Sequence, residues 1–152
     1  MPNILYNKAK EGFLGGTNEA DLIGNKIGVA LVSNGYTAAA SHTTMTNVGT
    51  ANTVRTVYFS TVANATQSSG LTITDGVFDG PDITISNVSS SGTVNAIIIF
   101  EQGAANSTVV NATDSKLVAY IDTVSSGLPI SQPSSANITI SWDNGAFKIF
   151  SL

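Results

Sequence analysis

At 152 residues the chain is long enough to bury a core of its own, and we predict one domain over residues 1–152. It has no cysteine, which excludes disulfide frameworks, thiolate metal sites and cysteine nucleophiles. The formal net charge is −4 and the six cations are scattered, so we expect no direct binding of nucleic acid.

The first segment, PNILYNKAKEGFLGG, has the pattern of a short amphipathic helix. Asn3 is a favourable N-cap, and Leu5, Ala9 and Phe13 recur at the i, i+4 spacing of one helix face. The glycine pair that follows is typical of a helix end. We therefore predict an N-terminal helix or arm within residues 1–16.

From residue 26 onward, short apolar or alternating runs are separated by turn residues, which is typical of strands. The runs are KIGVALVS, VRTVYFST, GLTIT, GVFDGPDITISNV with a break at Gly80–Pro81, VNAIIIFE, KLVAYIDT and the terminal segment. The stretch 36–53, rich in Ala, Thr, Ser and Asn, has no clear period, and we predict a long loop there. The pattern predicts an all-β fold, a β-sandwich or jelly-roll-like domain over residues 26–152 with a short N-terminal helix.

The last stretch, ANITISWDNGAFKIFSL, contains the pair Asn144–Gly145, which favours a type I′ turn between two antiparallel strands. This turn would pair Ile140 with Ile149, and Trp142 with Phe147, on a common core-facing side. The sequence therefore predicts that the terminal segment is a hairpin and part of the core.

Few residues could carry chemistry. His42 is the single histidine, has no nucleophile or carboxylate at a usable spacing, and is interpreted as a solvated loop residue. The acidic stretch DGVFDGPD, with Asp75, Asp79 and Asp82, fits turn capping better than calcium ligation, because it lacks the EF-hand spacing. We predict no catalytic residue, no metal site and no cofactor. The longest apolar run, residues 96–100, is too short to span a bilayer, and we expect no membrane association.

Four motifs occur in order along nearly the whole chain: LYNKAKEGFLGG with KIGVALVSNGYT, TDGVFDGPDITISNV, LVAYIDTVSSGLPIS and ITISWDNGAFKIFSL. Together they resemble a group of small structural proteins of tailed bacteriophages. The resemblance implies a non-enzymatic virion protein that decorates and stabilises the capsid as a cement protein. The implied partners are the major capsid protein and neighbouring copies of the chain, which would form a homo-oligomer on the capsid. The implied location is the outer capsid surface, after synthesis in the cytoplasm of the bacterial host.

Two groups of apolar residues are candidates for the interface with such partners. The N-terminal segment is apolar on more than one side, and the reverse face of the predicted hairpin carries two large apolar side chains. The candidates are Ile4, Leu5, Tyr6, Phe13, Leu14, Phe150 and Leu152. Either the N-terminal helix folds across the terminal strand and covers its apolar pair, or another subunit does.

Other functions stay open on the sequence alone. A tail or head–tail connector component would share the weakly charged β-scaffold. A carbohydrate-binding β-sandwich module would need exposed aromatic side chains, and the chain has eleven aromatic residues (one Trp, four Tyr and six Phe) to supply both its core and such a platform.

Overall fold

The computed structural model describes residues 3–15, 21–59, 69–102, 115–145 and 148–152. Within these ranges, ten strands pair only in antiparallel fashion and two short helices accompany them. The strands are β1 (Ile4–Leu5), β2 (Ile27–Ser33), β3 (Thr53–Tyr58), β4 (Thr72–Thr74), β5 (Val77–Asp79), β6 (Ile83–Val88), β7 (Val94–Glu101), β8 (Lys116–Ile121), β9 (Ala136–Ile140) and β10 (Phe150–Ser151). The helices are α1 (Asn7–Phe13) and α2 (Met45–Val48). The predicted all-β class with a short N-terminal helix is confirmed.

The largest sheet has five strands in the order β1-β8-β7-β2-β3. Both of its faces are buried, which explains why the centres of β2 and β7, residues 27–32 and 96–100, are apolar without alternation. On the inner face, Val29, Leu31 and Ile99 belong to the main core. On the outer face, Val32 and Ile98 belong to a second core. Each fully buried aliphatic side chain of this kind stabilises the fold by about 1.5–3 kcal/mol.

Two smaller sheets form a second layer over the inner face, so the arrangement is sandwich-like. They are the pair β6-β9 and the three-stranded sheet β10-β5-β4. The predicted apolar residues of β6, Ile83, Ile85 and Val88, are buried in the main core, and a register shift between Ile85 and Val88 interrupts the alternation. Phe78 of β5 is fully enclosed in the same core. The second layer is thus divided between two sheets.

The outer face is covered by the segment 36–48, which was predicted to be part of a long loop. Apart from Met45–Val48 the segment contains no helix and no named strand, as predicted, but the structure departs from the prediction in two respects. The segment contains helix α2, whose start is held by Asn47, because Asn47 Oδ1 accepts the backbone N–H groups of Thr43 (2.9 Å) and Thr44 (3.1 Å). Its apolar residues are also buried in the second core although their spacing follows no single period; they are Tyr36, Ala38, Met45 and Val48.

A buried chain of hydrogen bonds ties this segment to the N-terminus. The hydroxyl groups of Tyr6 and Tyr36 are 3.0 Å apart, and the Tyr36 hydroxyl is 2.8 Å from His42 Nδ1. Burial raises the pKa of Tyr6 and of Tyr36, so both remain neutral hydroxyls that exchange hydrogen bonds. His42 lies in a loop, as predicted, but it is half-buried against Tyr36 and is not a freely solvated residue. Its ring also packs 5.6 Å from that of Tyr36.

Replacing Tyr36 with phenylalanine should destabilise the protein by about 1–3 kcal/mol, because the buried Tyr6 hydroxyl and His42 Nδ1 both lose this partner. Tyr58→Phe is the matched control. The Tyr58 hydroxyl is buried without a hydrogen-bond partner among the described residues, so its removal should be neutral or stabilising. Urea denaturation measures both variants. Equal losses in the two would show that the Tyr6–Tyr36–His42 chain contributes nothing.

The N-terminal segment departs from its predicted form. The helix is shorter than residues 1–16, since β1 precedes α1 and Leu5 pairs with Ala119 of β8. Asn3 does not cap a helix. Its side-chain oxygen accepts the backbone N–H groups of Asp122 (3.1 Å) and Thr123 (3.0 Å), which extends the contact between this segment and the end of β8. Pairing with β8 satisfies the backbone groups of β1 at the sheet edge.

The predicted C-terminal hairpin is wrong. Neither residue of Asn144–Gly145 has the positive φ that a type I′ turn requires, and Ile140 pairs with Ile83 instead of Ile149. The end of β9 is fixed elsewhere, because Trp142 donates its backbone N–H to Asp82 and its indole N–H to the Pro81 carbonyl, each at 3.1 Å. The predicted partner of Trp142 in the hairpin, Phe147, lies outside the described residues.

Candidate functional site

The three-stranded sheet β10-β5-β4 and helix α1 bring several of the predicted interface residues together. Phe150 of β10 lies opposite Phe78, with the ring centroids 5.2 Å apart, and the ring of Phe13 packs 6.1 Å from that of Phe150. Helix α1 therefore covers part of Phe150. This agrees with the alternative in which the N-terminal helix, and not another subunit, folds across the terminal strand. The contact between Phe13 and Phe150 also places the C-terminal end of α1 next to β10.

Much of this region is exposed. Leu14, the residue after Phe13, is 89% exposed, and Leu152, on the same side of the terminal strand as Phe150, is 68% exposed. Helix α1 thus leaves Leu152 uncovered. Exposed side chains of this size in one region are typical of a contact surface. We call this surface the C-terminal patch and define it as Phe13, Leu14, Ile73, Phe150 and Leu152.

Ile73 was not among the predicted interface residues. It lies on β4 opposite Phe78, which in turn lies opposite Phe150, so Ile73, Phe78 and Phe150 form one row across the sheet. Its side chain is 50% exposed at the sheet edge. The alternation of Leu71 and Ile73 is visible in the sequence, but the strand partners that place Ile73 in the patch are not.

The other predicted interface residues lie away from the patch. Tyr6 is fully buried in the second core, so it offers no surface to a partner in this structure. Ile4 and Leu5 are half-buried on β1 and contribute to opposite cores, Ile4 to the second and Leu5 to the main one. The structure thus assigns these three side chains to the packing of the N-terminal segment.

The acidic stretch next to the patch has structural roles. Asp79 accepts the Gly80 N–H at 2.9 Å and lies 3.5 Å from Lys148 Nζ, while Asp82 accepts the Trp142 backbone N–H. Asp75 occupies a turn with φ of 52°. Among the described residues, no group of three or more His, Asp or Glu side chains is placed to hold a metal ion. The calcium alternative therefore gains no support from the positions of these aspartates.

Glu101, the last residue of β7, carries a buried carboxyl group. Glu101 is 2% exposed, and its Oε1 accepts a hydrogen bond from Asn25 Nδ2 at 2.6 Å and lies 3.8 Å from Lys116 Nζ. Its Oε2 has no hydrogen-bond partner among the described residues. Burial raises the pKa of Glu101, against the attraction of Lys116, which lowers it. The position of Glu101 at the end of an apolar run is visible in the sequence, whereas its contacts with Asn25 and Lys116 are not.

Glu101 predicts a pH dependence of stability. Because its pKa is raised in the folded state, that state binds the proton more tightly, and the resulting stabilisation is full below the unfolded pKa of about 4.3. It is lost as the pH rises through the folded pKa. The free energy of unfolding of the wild type should therefore increase, relative to that of Glu101→Gln, as the pH falls through the raised folded pKa towards the unfolded one. Urea denaturation at several pH values measures this difference.

Glu11→Gln is the control for the pH series, because Glu11 is an exposed partner of Lys8 on α1. This variant should keep the pH dependence of the wild type. If Glu101→Gln also follows the wild type at every pH, Glu101 does not carry the effect.

Comparisons of the chain with protein-family models, with curated proteins and with solved structures found no match. In the part of the chain that the structure describes, no helix is long and apolar enough to cross a bilayer. The geometry of the C-terminal patch is therefore the main structural guide to function.

Proposed function

We propose that the protein is a non-enzymatic structural component of a tailed-phage virion that decorates the capsid and stabilises its shell. In this proposal the C-terminal patch binds the major capsid protein on the outer capsid surface. The observation that carries the proposal is the convergence of exposed apolar side chains from both ends of the described chain, Leu14 and Leu152, around the aromatic pair Phe13 and Phe150.

Several properties of the molecule support a docking role. Only 11% of the residues are charged, about half the usual share, so the surface is polar but exerts little electrostatic repulsion on neighbouring copies. The patch lies on a packed scaffold, since Phe150 rests on the enclosed ring of Phe78. A rigid apolar surface loses little entropy on binding. Weak contacts of this kind gain strength when they are repeated over a lattice.

The proposal predicts a shell-stability phenotype. Particles assembled without the protein should release DNA at a lower temperature than complete particles, and adding the purified protein back should restore the higher release temperature. A fluorescent dye that reports exposed DNA during heating measures this release. Identical release temperatures for complete and depleted particles would contradict a stabilising role.

The alternative functions predict different locations or ligands. A tail or head–tail connector component would be found on tails or at the portal vertex after the particles are separated and probed with an antibody to the protein. A carbohydrate-binding module would need an accessible aromatic platform. Trp142, the single tryptophan, packs 6.0 Å from the ring of Phe59 and donates its indole N–H to the protein backbone, so much of its ring serves the fold.

A further inference from the structure

A cleft of about 380 Å³ opens in the second layer of the sandwich, away from the residues of the C-terminal patch. Its floor includes Leu31 and Ile97, which are paired across β2 and β7 on the inner face of the large sheet. One wall is the segment 138–141 at the end of β9, and the other is formed by residues 124–128 with Ile130. The second layer therefore leaves a depression above the main core, although its floor residues Leu31 and Ile97 are themselves buried, at 1% and 6% exposure.

The wall formed by β9 is the edge of a strand. Side chains alternate along a strand, so a strand face presents every second residue, whereas four consecutive residues, 138–141, line this cleft. β9 pairs with β6 on one side, where Ile138 lies opposite Ile85 and Ile140 opposite Ile83. Its other edge has no strand partner within the described ranges. A free edge presents unpaired N–H and C=O groups that can accept an added strand.

The chemistry of the lining restricts what can bind. The floor is aliphatic, the opening is bordered by exposed hydroxyl side chains such as Ser125, Ser126 and Ser141, and the lining contains no Asp, Glu, Lys or Arg. A charged side chain placed in the cleft would lose water without gaining an ionic partner. The fitting ligand therefore combines a backbone that can form hydrogen bonds with uncharged side chains, and apolar ones where it faces Leu31 and Ile97.

We propose that the cleft is a strand-docking site for an extended, uncharged peptide segment of a partner protein, with apolar residues at alternate positions. The segment adds a strand to the free edge of β9 and places its inward side chains over the aliphatic floor. This mode of recognition obtains affinity from main-chain hydrogen bonds and specificity from alternate side chains. The proposal does not depend on a role in a virion, because it rests on a different surface.

The test begins with selection from a library of random short peptides on the full-length protein, with counter-selection on Ser126→Trp. The indole ring should obstruct the opening, because Ser126 lines the cleft and is exposed. Ser91→Trp, at an exposed serine outside the cleft, is the matched control. Circular dichroism and thermal melting show whether both variants fold like the wild type.

We expect the selected peptides to be uncharged and apolar at alternate positions. Fluorescence anisotropy should show binding to the wild type and to Ser91→Trp, and binding at least about tenfold weaker to Ser126→Trp. Methylation of backbone nitrogens at alternate positions of the peptide should abolish binding in one of the two registers, because only every second N–H faces β9.

Three outcomes would overturn the proposal. Selection that enriches no peptide above the counter-selected background would show that the cleft binds no such segment. Binding that survives backbone methylation in both registers would mean that the cleft recognises side chains alone. Self-association of the wild type that Ser126→Trp abolishes would assign the cleft to a second copy of this chain.

Discussion

Phe78→Ala is expected to lower the free energy of unfolding by about 3–5 kcal/mol, the largest effect of any substitution considered. The Phe78 ring is almost completely buried in the main core and packs beside the ring of its cross-strand partner Phe150. Its removal leaves a cavity and also takes away the packing that holds β10 against β5. Urea denaturation followed by far-UV circular dichroism measures the change.

Ile73→Ala is the control, because Ile73 lies directly opposite Phe78 but is half exposed. Its loss should cost less than about 1 kcal/mol, since it removes little buried area. If the two substitutions destabilise the protein equally, the three-stranded sheet does not pack as described.

The double variant Leu14→Asp, Leu152→Asp is expected to weaken attachment to depleted particles by about 30-fold or more, which corresponds to about 2 kcal/mol. Both side chains are largely exposed, so the charges are hydrated in the free protein and the free energy of unfolding should change by less than about 0.5 kcal/mol. On a particle the same carboxylates would be buried against an apolar surface. Co-sedimentation of labelled protein with depleted particles measures the affinity.

Ser91→Asp, Ser134→Asp is the matched control for this variant, since it changes the net charge equally at two exposed serines. Ser91 lies after the C-terminal end of β6, whereas β5 precedes the N-terminal end of β6 in the chain. This control should bind particles like the wild type. Equal loss of binding in both double variants would indicate a general charge effect, and unchanged binding in both would exclude the C-terminal patch from the interface.

The sequence predicted those strands whose local composition alone identifies them as strands. The runs that became β2 and β7 have apolar centres, 27–32 and 96–100, and burial on both faces accounts for these without knowledge of their partners. Long-range pairing was not predictable in the same way. Alternation in β9 shows which side chains share a face, but β6 and β10 offered equally apolar partners. The contacts of Trp142 with Pro81 and Asp82, some sixty residues earlier in the chain, accompany the pairing with β6.

The candidate site was predictable in part for a similar reason. Surplus apolar residues at Phe13, Leu14, Phe150 and Leu152 are visible in the sequence, whereas their convergence depends on the pairing of β10 with β5. Tyr6 was placed at the interface because the N-terminal segment is apolar on more than one side. Its burial depends on Tyr36, thirty residues away, whose hydroxyl group is its hydrogen-bond partner.

A cryo-electron microscopy reconstruction of the intact virion tests the proposed capsid role most directly. The account predicts density for this β-fold on the outer capsid surface, with Leu14, Phe150 and Leu152 facing the major capsid protein and away from solvent. Density for the protein confined to the tail or the connector, or a capsid-bound copy whose C-terminal patch faces solvent, would contradict it.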